Sequence, residues 1–384
     1  MKQQFDVVIV GGGLVGAALA LALDRQGQRV ALVEGQSARF EQLQEGWDAR
    51  VYAISPANRR FLASLDAWPD MARIGTIASM DVRGDQGGCI AFSAADAGAE
   101  ALAWIAENRW LLAALWRQLQ DASGVELVEG VRPLGLSHNP CEAQLQLEDG
   151  RELVARLVVG ADGANSWVRQ QSGIAADVKP YGQSGVVANF ATEKPHDGIA
   201  RQWFLGDGIL AWLPLPGNRI SIVWSTPQPE PLLALPAERF AAVVAEAGEH
   251  VLGRLDVLTP AAAFPLRLLT PQHVIAERVA LVGDAAHTVH PLAGQGVNLG
   301  FQDAARLADI IAAGKDPGEW LALRRYERGR KEAVRTMQLT CDTLFGLFHA
   351  KALPGIAWLR NTGLNLTNRL PLIKRQLARH AVGF

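Results

Sequence analysis

The first 35 residues alternate between strand-like and helix-like patterns of apolar side chains. Residues 5–10 form a mostly apolar, β-rich run without alternation, as expected of a parallel strand that is buried on both faces. Residues 14–26 carry apolar side chains at helical spacing, Gly27 ends that pattern, and residues 30–33 form a second buried strand. The order predicts a β-α-β unit that begins at residue 5.

The middle of the chain has the shorter period of antiparallel strands. Apolar and polar residues alternate at 144–147 and 153–159 around an Asp-Gly dipeptide, which favours a hairpin turn. The alternation returns at 209–215 and 219–225, and the stretch from 183 to 270 is rich in such strands. An antiparallel sheet is therefore predicted over 183–270.

Strand and helix patterns then resume, with a buried strand at 279–282 and helices at about 297–313 and 319–349. Neither an internal repeat nor a low-complexity linker separates the patterns, so we expect interleaved domains. The predicted fold is α/β. A Rossmann-like nucleotide-binding domain (1–182 and 271–340) is interleaved with an antiparallel-sheet substrate domain (183–270), and a basic helical C-terminal segment (341–384) follows. Residues 83–103 could belong to either domain.

Composition and charge narrow the class of protein. With 384 residues, 49% hydrophobic and 20% charged, the chain can bury a large core. A net charge of −2 argues against a general nucleic-acid binder. The three cysteines are too far apart for a CxxC pair or a zinc site, and they favour a reducing compartment. We also find no signal-peptide pattern and no apolar run of the length that a membrane span needs.

A glycine-rich motif follows the first predicted strand. Gly11, Gly13 and Gly16 have the spacing GxGxxG, and the helix begins at Leu14 and Val15. Glycines allow a tight turn and close approach to a pyrophosphate, and a helix N-terminus attracts anions. Glu34 ends the second strand, where a carboxylate can accept hydrogen bonds from a ribose. The motif predicts dinucleotide binding but does not separate NAD from FAD.

Two later glycine-rich segments also follow predicted strands. Residues 160–166 (GADGANS) are either an ordinary turn or part of a binding site, and Arg169 could pair with Asp162. In residues 283–300, Asp284 follows a buried strand at the sheet edge where ligands bind. Asp284, His287 and His290 could also be metal ligands, but we expect no metal. No fourth ligand is evident, and the glycines at 294 and 296 favour close approach to a flat ligand.

The three motifs together resemble flavoprotein aromatic hydroxylases of the para-hydroxybenzoate hydroxylase fold. Residues 290–303 (HPLAGQGVNLGFQD) match throughout the signature of the ubiquinone-biosynthesis hydroxylases, a family of FAD-dependent enzymes. The resemblance continues at 48–55 (DARVYAIS), 213–215, 221–224 and 326–331 (YERGRK), so it covers essentially the whole chain.

The resemblance implies an FAD-dependent monooxygenase that hydroxylates a polyprenyl phenol intermediate of ubiquinone biosynthesis. NADH or NADPH would reduce the flavin, and a flavin C4a-hydroperoxide formed with O₂ would transfer one oxygen to the ring. The chemistry lies on the flavin, so no catalytic side chain is assigned. The implied cofactor-binding residues are Gly11, Gly13, Leu14, Val15, Gly16, Glu34, Arg50, Arg109, Val131, Asp162, Asp284, Gly294, Gln295, Gly296, Val297 and Asn298.

Candidates for the substrate pocket are Trp212, Trp224, Phe264 and Pro291, although aromatic residues on strands are more often part of a core. No arginine stands out as a clamp for a substrate carboxylate, which weakly favours a decarboxylated phenol. Three alternatives stay open. They are a hydroxylase of another phenol, a non-catalytic flavoprotein subunit of a biosynthetic complex, and an FAD dehydrogenase or disulfide reductase. The last is disfavoured because the chain has a single GxGxxG and no CxxC.

The C-terminal segment differs in charge from the rest of the chain. Residues 343–384 contain six basic residues and no acidic residue, whereas residues 1–342 carry 31 basic and 39 acidic side chains, a net charge of −8. Basic segments rich in apolar residues can bind anionic lipid or a partner. We therefore expect a cytoplasmic protein that associates peripherally with the inner face of the membrane or with a ubiquinone-biosynthesis complex. Folding of this segment onto the flavin domain is the alternative.

Overall fold

The computed structural model describes residues 2–36, 46–289 and 296–349. The strands in these ranges are, in chain order, β1 (Lys2–Val10), β2 (Val30–Glu34), β3 (Val51–Ile54), β4 (Gly75–Ile77), β5 (Ser79–Arg83), β6 (Cys89–Ser93), β7 (Ala103–Glu107), β8 (Val125–Glu129), β9 (Pro133–His138), β10 (Ala143–Leu147), β11 (Glu152–Gly160), β12 (Ala176–Thr192), β13 (Ile199–Phe204), β14 (Ile209–Leu215), β15 (Arg219–Thr226), β16 (Leu255–Val257), β17 (Ala262–Pro271), β18 (Ile275–Ala276) and β19 (Val279–Leu281). The helices are α1 (Leu14–Asp24), α2 (Pro56–Ser64), α3 (Ala94–Ala97), α4 (Asn108–Asp121), α5 (Trp167–Gln171), α6 (Glu230–Leu233), α7 (Ala237–Ala247), α8 (Gly296–Ala312) and α9 (Trp320–His349).

The first sheet has the order β18-β19-β11-β1-β2-β8. β1 pairs in parallel with β2 and β11, and β8 and β19 extend the parallel part. Helices α1, α4 and α8 pack over one face in a core that includes Ile9, Leu19, Leu115 and Phe301. The carboxyl ends of these strands meet at one edge, which is where open α/β sheets bind ligands. The predicted α/β fold is confirmed.

The second sheet has the order β16-β12-β15-β14-β13-β5-β6, with β17 also paired to β12. Its pairings are antiparallel except for β13 with β5. Helix α7 covers one face, where Phe190, Trp212 and Phe240 are buried. The opposite face meets the rest of the chain, because Asn189 Nδ2 donates to the Asp48 carbonyl over 2.8 Å.

Strand β12 crosses residue 182, where the sequence analysis put a domain boundary. Its first half pairs with β17 and its second half with both β15 and β17. A register shift between Pro180 and Ser184, with Gly182 at φ +68°, bends the strand. The undecided region 83–103 is divided, since β6 joins the antiparallel sheet while β7 lies in a third sheet of order β3-β7-β4.

Helix α9, the long C-terminal helix of the sequence analysis, joins the two large sheets. Tyr326 Oη donates to the Leu281 carbonyl over 2.8 Å, and Gln338 Nε2 donates to the Leu269 carbonyl over 3.1 Å. The basic residues predicted to bind lipid or a partner all lie after residue 349, outside the described residues. In the part of the chain that the structure describes, no helix has the length and apolarity to span a membrane.

Candidate cofactor site

The three glycines of the first motif have different structural roles. Gly11 has φ +107°, and a Cβ there would lie 2.5 Å from the Ala161 carbonyl oxygen at the end of β11. A Cβ on Gly16 would lie 1.9 Å from the Gly11 carbonyl oxygen. Gly13 is exposed, and no atom of the described residues comes within 4 Å of a Cβ placed there. Gly11 and Gly16 therefore allow close packing within the chain, whereas Gly13 leaves space for a bound group.

This open position coincides with the start of α1. Gly13 is the N-cap residue, and no side chain caps the helix, so the first-turn N–H groups point to the space beside Gly13. Leu14 and Val15 form the first helical positions. Uncapped N–H groups and the helix dipole attract a phosphate. The loop thus fits the pyrophosphate of a dinucleotide.

Glu34 fixes the loop from the neighbouring strand. Its Oε2 accepts from Gly12 N over 2.7 Å, and its Oε1 accepts from Gln36 N over 3.0 Å. Trp116 on α4 donates from Nε1 to the Gly12 carbonyl over 2.8 Å. Val131 is half-buried two residues after β8, the strand that pairs with β2. Both predicted residues, Glu34 and Val131, therefore lie at the sheet edge beside the loop.

Asp284 stands at the same edge, in a 3-10 turn (Gly283–Ala285) that follows β19. A Cβ on Gly283 would lie 3.2 Å from the Val15 side chain, so this turn packs against the start of α1. The Asp284 side chain is exposed at this edge. Partial desolvation by neighbouring protein atoms raises the pKa of its carboxyl, while the charges of His287, Arg50 and Arg267 oppose the increase. Asp284 therefore lies beside the start of α1.

His287 is part of a buried network behind Asp284. Its Nε2 lies 2.7 Å from Asp303 Oδ2, which also accepts from Gly283 N over 3.0 Å. Asp303 Oδ1 accepts from Arg330 Nε over 2.6 Å. Burial alone would raise the pKa of Asp303, but the charges and hydrogen bonds of His287 and Arg330 outweigh it and lower that pKa. The network connects the Asp284 turn to α8 and α9.

These contacts bear on the alternative that Asp284 and His287 bind metal. His287 is hydrogen-bonded to Asp303 and buried, and His290 lies outside the described residues. Among the residues that are described, no group of three or more His, Cys, Asp or Glu side chains could hold a metal ion.

Arg50 and Arg109 are connected through Asp48. Asp48 Oδ1 accepts from Arg50 N over 2.9 Å, and its Oδ2 accepts from Arg109 N over 3.4 Å. The Arg50 guanidinium lies over the Tyr52 ring at 5.6 Å, and Arg109 Nη2 donates to Glu107 Oε1 over 3.1 Å. Two predicted residues that are 59 positions apart thus share one polar cluster.

Asp162 has a structural role that the sequence analysis did not predict. Its Oδ2 accepts from Trp167 N over 2.6 Å and from Val168 N over 3.0 Å, at the start of α5. Arg169, proposed as its partner, instead donates to the carbonyl oxygens of Ala164 and Ala285. Among the described residues, Asp162 Oδ1 has no hydrogen-bond partner and is buried, so the described contacts use only one of its two oxygens.

The third motif is described only in part. Gly294, Gln295 and Pro291 lie outside the described residues, and α8 begins at Gly296, followed by Val297 and Asn298. The Asn298 side chain is buried and bonded to protein, with Oδ1 accepting from Ser55 N and Nδ2 donating to the Ala53 carbonyl. Its side chain thus fixes α8 to β3 and α2, and its backbone carbonyl accepts from Asn58 Nδ2 over 3.1 Å.

The predicted substrate-pocket aromatics are mostly in the core. Trp212 is 1% exposed, and its ring would contact a Cβ on Gly248 after α7, so it lies on the α7 face of the second sheet. Trp224 packs in the same core, since Leu210 and Trp224 are cross-strand partners. Trp212 is therefore a core residue of the second sheet, which corrects its assignment to the pocket, whereas Trp224 is half-buried and its assignment stays a prediction. Phe264 on β17 is 53% exposed and stays a candidate.

Several residues that shape the site were missed by the sequence analysis. Glu107 and Trp116 fix the arginine cluster and the glycine loop, and Arg330 completes the network of Asp303. Glu107 had a local signal, since it precedes Arg109 by two residues. Trp116 had none, because its partner is 104 residues away, whereas Arg330 lies in the matched segment 326–331 but its partner Asp303 is 27 residues away.

Comparisons with known proteins agree with this geometry. Residues 94–339 match the FAD binding domain family. The chain is 38% identical to the ubiquinone hydroxylase UbiL of Rhodospirillum rubrum over 98% of this chain and 89% of the relative. It is 35% identical to the 3-demethoxyubiquinol 3-hydroxylase of Escherichia coli over 100% and 99%. The structure of p-nitrophenol 4-monooxygenase PnpA from Pseudomonas putida superimposes with a TM-score of 0.80 at 19% identity, over 99% of this chain and 98% of that one.

The fold, the open glycine loop and the matched family define an FAD-dependent monooxygenase. Sequence identity above 30% along the whole chain shows which family of these monooxygenases the chain belongs to. The chain belongs to the family of ubiquinone-biosynthesis hydroxylases.

Proposed function

We propose that this chain hydroxylates the aromatic ring of a polyprenyl phenol in ubiquinone biosynthesis, with FAD as cofactor and with NADH or NADPH and O₂ as co-substrates. The observation that carries the proposal is the open Gly13 at the uncapped start of α1, in a chain whose relatives include two ubiquinone hydroxylases. Bound FAD supplies the redox chemistry that transfers one oxygen atom of O₂ to the ring.

The residues of the chain hold and orient that cofactor. The N–H groups at Gly13 and Leu14 would donate to the pyrophosphate, and Glu34, already fixed by Gly12, would accept from the ribose. Asp284, beside the start of α1, would accept from the ribityl hydroxyls. The first-turn N–H groups of α8, at Gly296 and Val297, provide positive partial charge where a reduced flavin carries negative charge.

The arginines near the second sheet support a substrate without a carboxylate. Arg201 contacts the carbonyl oxygens of His196 and Ile199, and Arg219 contacts the Pro216 carbonyl. Arg267 donates from Nη2 to Asn165 Oδ1 over 2.7 Å. Each of the three is therefore engaged within the protein, which favours a decarboxylated phenol over a phenolic acid.

The test is oxidation of NADH and NADPH by the FAD-loaded protein, with and without a prenylated phenol. We expect the phenol to accelerate oxidation and to gain one oxygen atom from isotopically labelled O₂. The same phenol without its prenyl chain is the comparison, and preference for it would favour a hydroxylase of another phenol. NADH oxidation that no phenol accelerates would contradict the proposal and favour a flavoprotein subunit without this activity.

We further propose that the basic C-terminal segment brings the enzyme to the anionic lipid where a prenylated substrate resides. The net charge of −8 over residues 1–342 would repel such a surface, so attraction has to come from the segment after residue 342. Each basic residue near an anionic membrane contributes roughly 1 kcal/mol, screened over about 8 Å at physiological salt.

Replacement of Arg369, Lys374, Arg375 and Arg379 by Gln should reduce sedimentation with phosphatidylglycerol-containing vesicles and leave FAD content unchanged. The matched control replaces four exposed basic residues of the described body with the same change in charge, namely Lys194, Arg239, Arg254 and Lys315. Equal binding by the parent and the C-terminal variant would contradict the proposal, and so would an equal loss in the control.

A further inference from the structure

Glu107 is a fully buried carboxylate that four donors surround at the end of β7. Its side chain has no exposed surface. Oε1 accepts from Asp48 N over 2.6 Å and from Arg109 Nη2 over 3.1 Å. Oε2 accepts from Arg73 Nε over 3.0 Å and from Arg73 Nη2 over 2.6 Å. A buried charge is tolerated only when it is paired and hydrogen-bonded, and Glu107 meets both conditions.

The two arginines around Glu107 are not equivalent. Arg73 makes two of the four bonds, donates a further one to the Gly46 carbonyl, and lies over the Trp47 ring at 4.0 Å. Arg109 gives Glu107 a single bond, and its Nε is buried and has no hydrogen-bond partner among the residues that the structure describes. Arg73 therefore neutralises Glu107 within the protein, and the Arg109 guanidinium keeps donor capacity and positive charge.

The same carboxylate also fixes the segment that ends in Arg50. The Glu107 carboxylate accepts from Asp48 N, and the Asp48 carboxylate accepts from Arg50 N. In addition, Asn108 N donates to the Arg50 carbonyl over 2.9 Å. Arg50 directly precedes β3, whose Ala53 carbonyl accepts from Asn298 Nδ2 in the first turn of α8 over 2.7 Å, so the Asp48–Arg50 segment leads to the start of α8 at the candidate site. From Arg109, α4 runs seven residues to Trp116 at the glycine loop, about 10 Å at the helical rise.

We propose that Glu107 is a positioning residue for FAD, because it sets the directions of Arg109 and of the Asp48–Arg50 segment at the cofactor cleft. This inference rests on one part of the proposed function, the assignment of FAD as the cofactor. It does not depend on which substrate is hydroxylated. We propose no direct contact between Glu107 and the cofactor. Glu107 acts through the guanidinium groups of Arg109 and Arg50, whose positions at the cleft it determines.

The test compares Glu107→Gln, Glu107→Asp and a matched control, Glu327→Gln. Glu327 on α9 is also nearly buried, and it also accepts from an arginine (Arg324 Nη1, 2.6 Å) and a backbone N–H (Val274, 3.2 Å). Both Gln variants should lower the stability of the apoprotein, since each removes a buried charge from its partners. FAD affinity is measured by flavin fluorescence, at a temperature where circular dichroism shows every apoprotein folded.

We expect Glu107→Gln to raise the Kd for FAD at least tenfold, about 1.4 kcal/mol, and to shift the absorption spectrum of the bound flavin. Glu107→Asp keeps the charge on a shorter side chain and should lie between the parent and Glu107→Gln. Glu327→Gln should stay within twofold of the parent. A folded Glu107→Gln protein with parental Kd and spectrum would overturn the proposal, as would an equal loss of affinity in Glu327→Gln.

If Glu107→Gln does not fold, Glu107→Asp decides. Weakened FAD binding in that variant supports positioning, and parental binding with a parental spectrum overturns it. The readout is FAD binding, so a parent that binds FAD but oxidises NADH without any response to a phenol would refute the proposed substrate class and leave this test intact.

Discussion

The different roles of Gly13 and Gly16 lead to opposite expectations for two small substitutions in one motif. In Gly13→Val the new side chain enters space that is empty of atoms from the described part of the chain, at φ −68° and ψ −176°, which any residue adopts. The loss of a glycine from the unfolded chain stabilises by about 0.4–1 kcal/mol, and the poorer N-cap costs a similar amount. The free energy of unfolding of the apoprotein should therefore change by less than about 1 kcal/mol.

FAD binding should respond in the opposite way. The valine would occupy the place of the pyrophosphate and would separate it from the N–H groups at the start of α1. Hydrogen bonds to a charged group contribute about 1.5–3 kcal/mol each, so losing two corresponds to a factor of at least about 100 in Kd. Gly16→Ala puts a Cβ 1.9 Å from the Gly11 carbonyl oxygen, and it should destabilise the apoprotein itself by about 1–3 kcal/mol or more.

Urea denaturation of the apoproteins and fluorescence titration with FAD separate the two effects. Gly206→Val is the matched control, because Gly206 is exposed and a Cβ there also meets no atom within 4 Å. That variant should keep parental stability and FAD affinity. Parental FAD affinity in Gly13→Val, or parental apoprotein stability in Gly16→Ala, would refute this interpretation of the loop.

Three further predictions concern the acidic residues of the site. Asp303→Asn should lower the free energy of unfolding by about 3–5 kcal/mol, since Arg330 would lose its buried partner, whereas Glu100→Gln at an exposed pair should change it by less than about 1 kcal/mol in the same urea titration. The lowered pKa of Asp303 contributes stability that is present above the unfolded pKa of about 3.9 and is lost as the pH falls through the folded value. Acid denaturation of the parent should therefore begin below about pH 4, with a shallower pH dependence in Asp303→Asn. The Asp284 side chain is exposed, so loss of its charge should cost the apoprotein little stability. Asp284→Asn should leave the apoprotein about as stable as the parent, while it weakens FAD retention without altering metal content.

The glycine loop and the first β-α-β unit could be predicted because their signals are local. The apolar run of β1, the helical spacing of α1 and the glycines between them lie within about 20 residues, and each reports a backbone requirement. The assignment of Glu34 also follows from its place at the end of β2. The hairpin at Gly150 was equally accessible, since that glycine adopts φ +84° between β10 and β11.

The substrate wall was harder to predict because alternation along a strand identifies which residues share a face and not what that face meets. Trp212 pairs with Ile222, and both point to α7, while Asn189 and Ser221 pair on the opposite face. Which of the two faces forms the core depends on where α7 packs, and the sequences of β14 and β15 do not indicate its position. Large aromatic side chains gain most by complete burial, so α7 covers Trp212, while the polar Asn189 faces the segment of Asp48 that precedes β3.

The polar networks mark the limit of sequence reasoning for the same physical reason. Glu107 is stable as a buried charge only because Arg73, 34 residues earlier, and the N–H of Asp48, 59 residues earlier, converge on it. Asp303 likewise needs His287 and Arg330. A single glutamate or arginine in a sequence is most often a solvated surface residue. Its burial is stable only when tertiary contacts offset the cost of desolvating its charge. Residues that touch a cofactor can thus be recognised from motifs, while residues that hold them in place become visible only when the fold brings distant partners together.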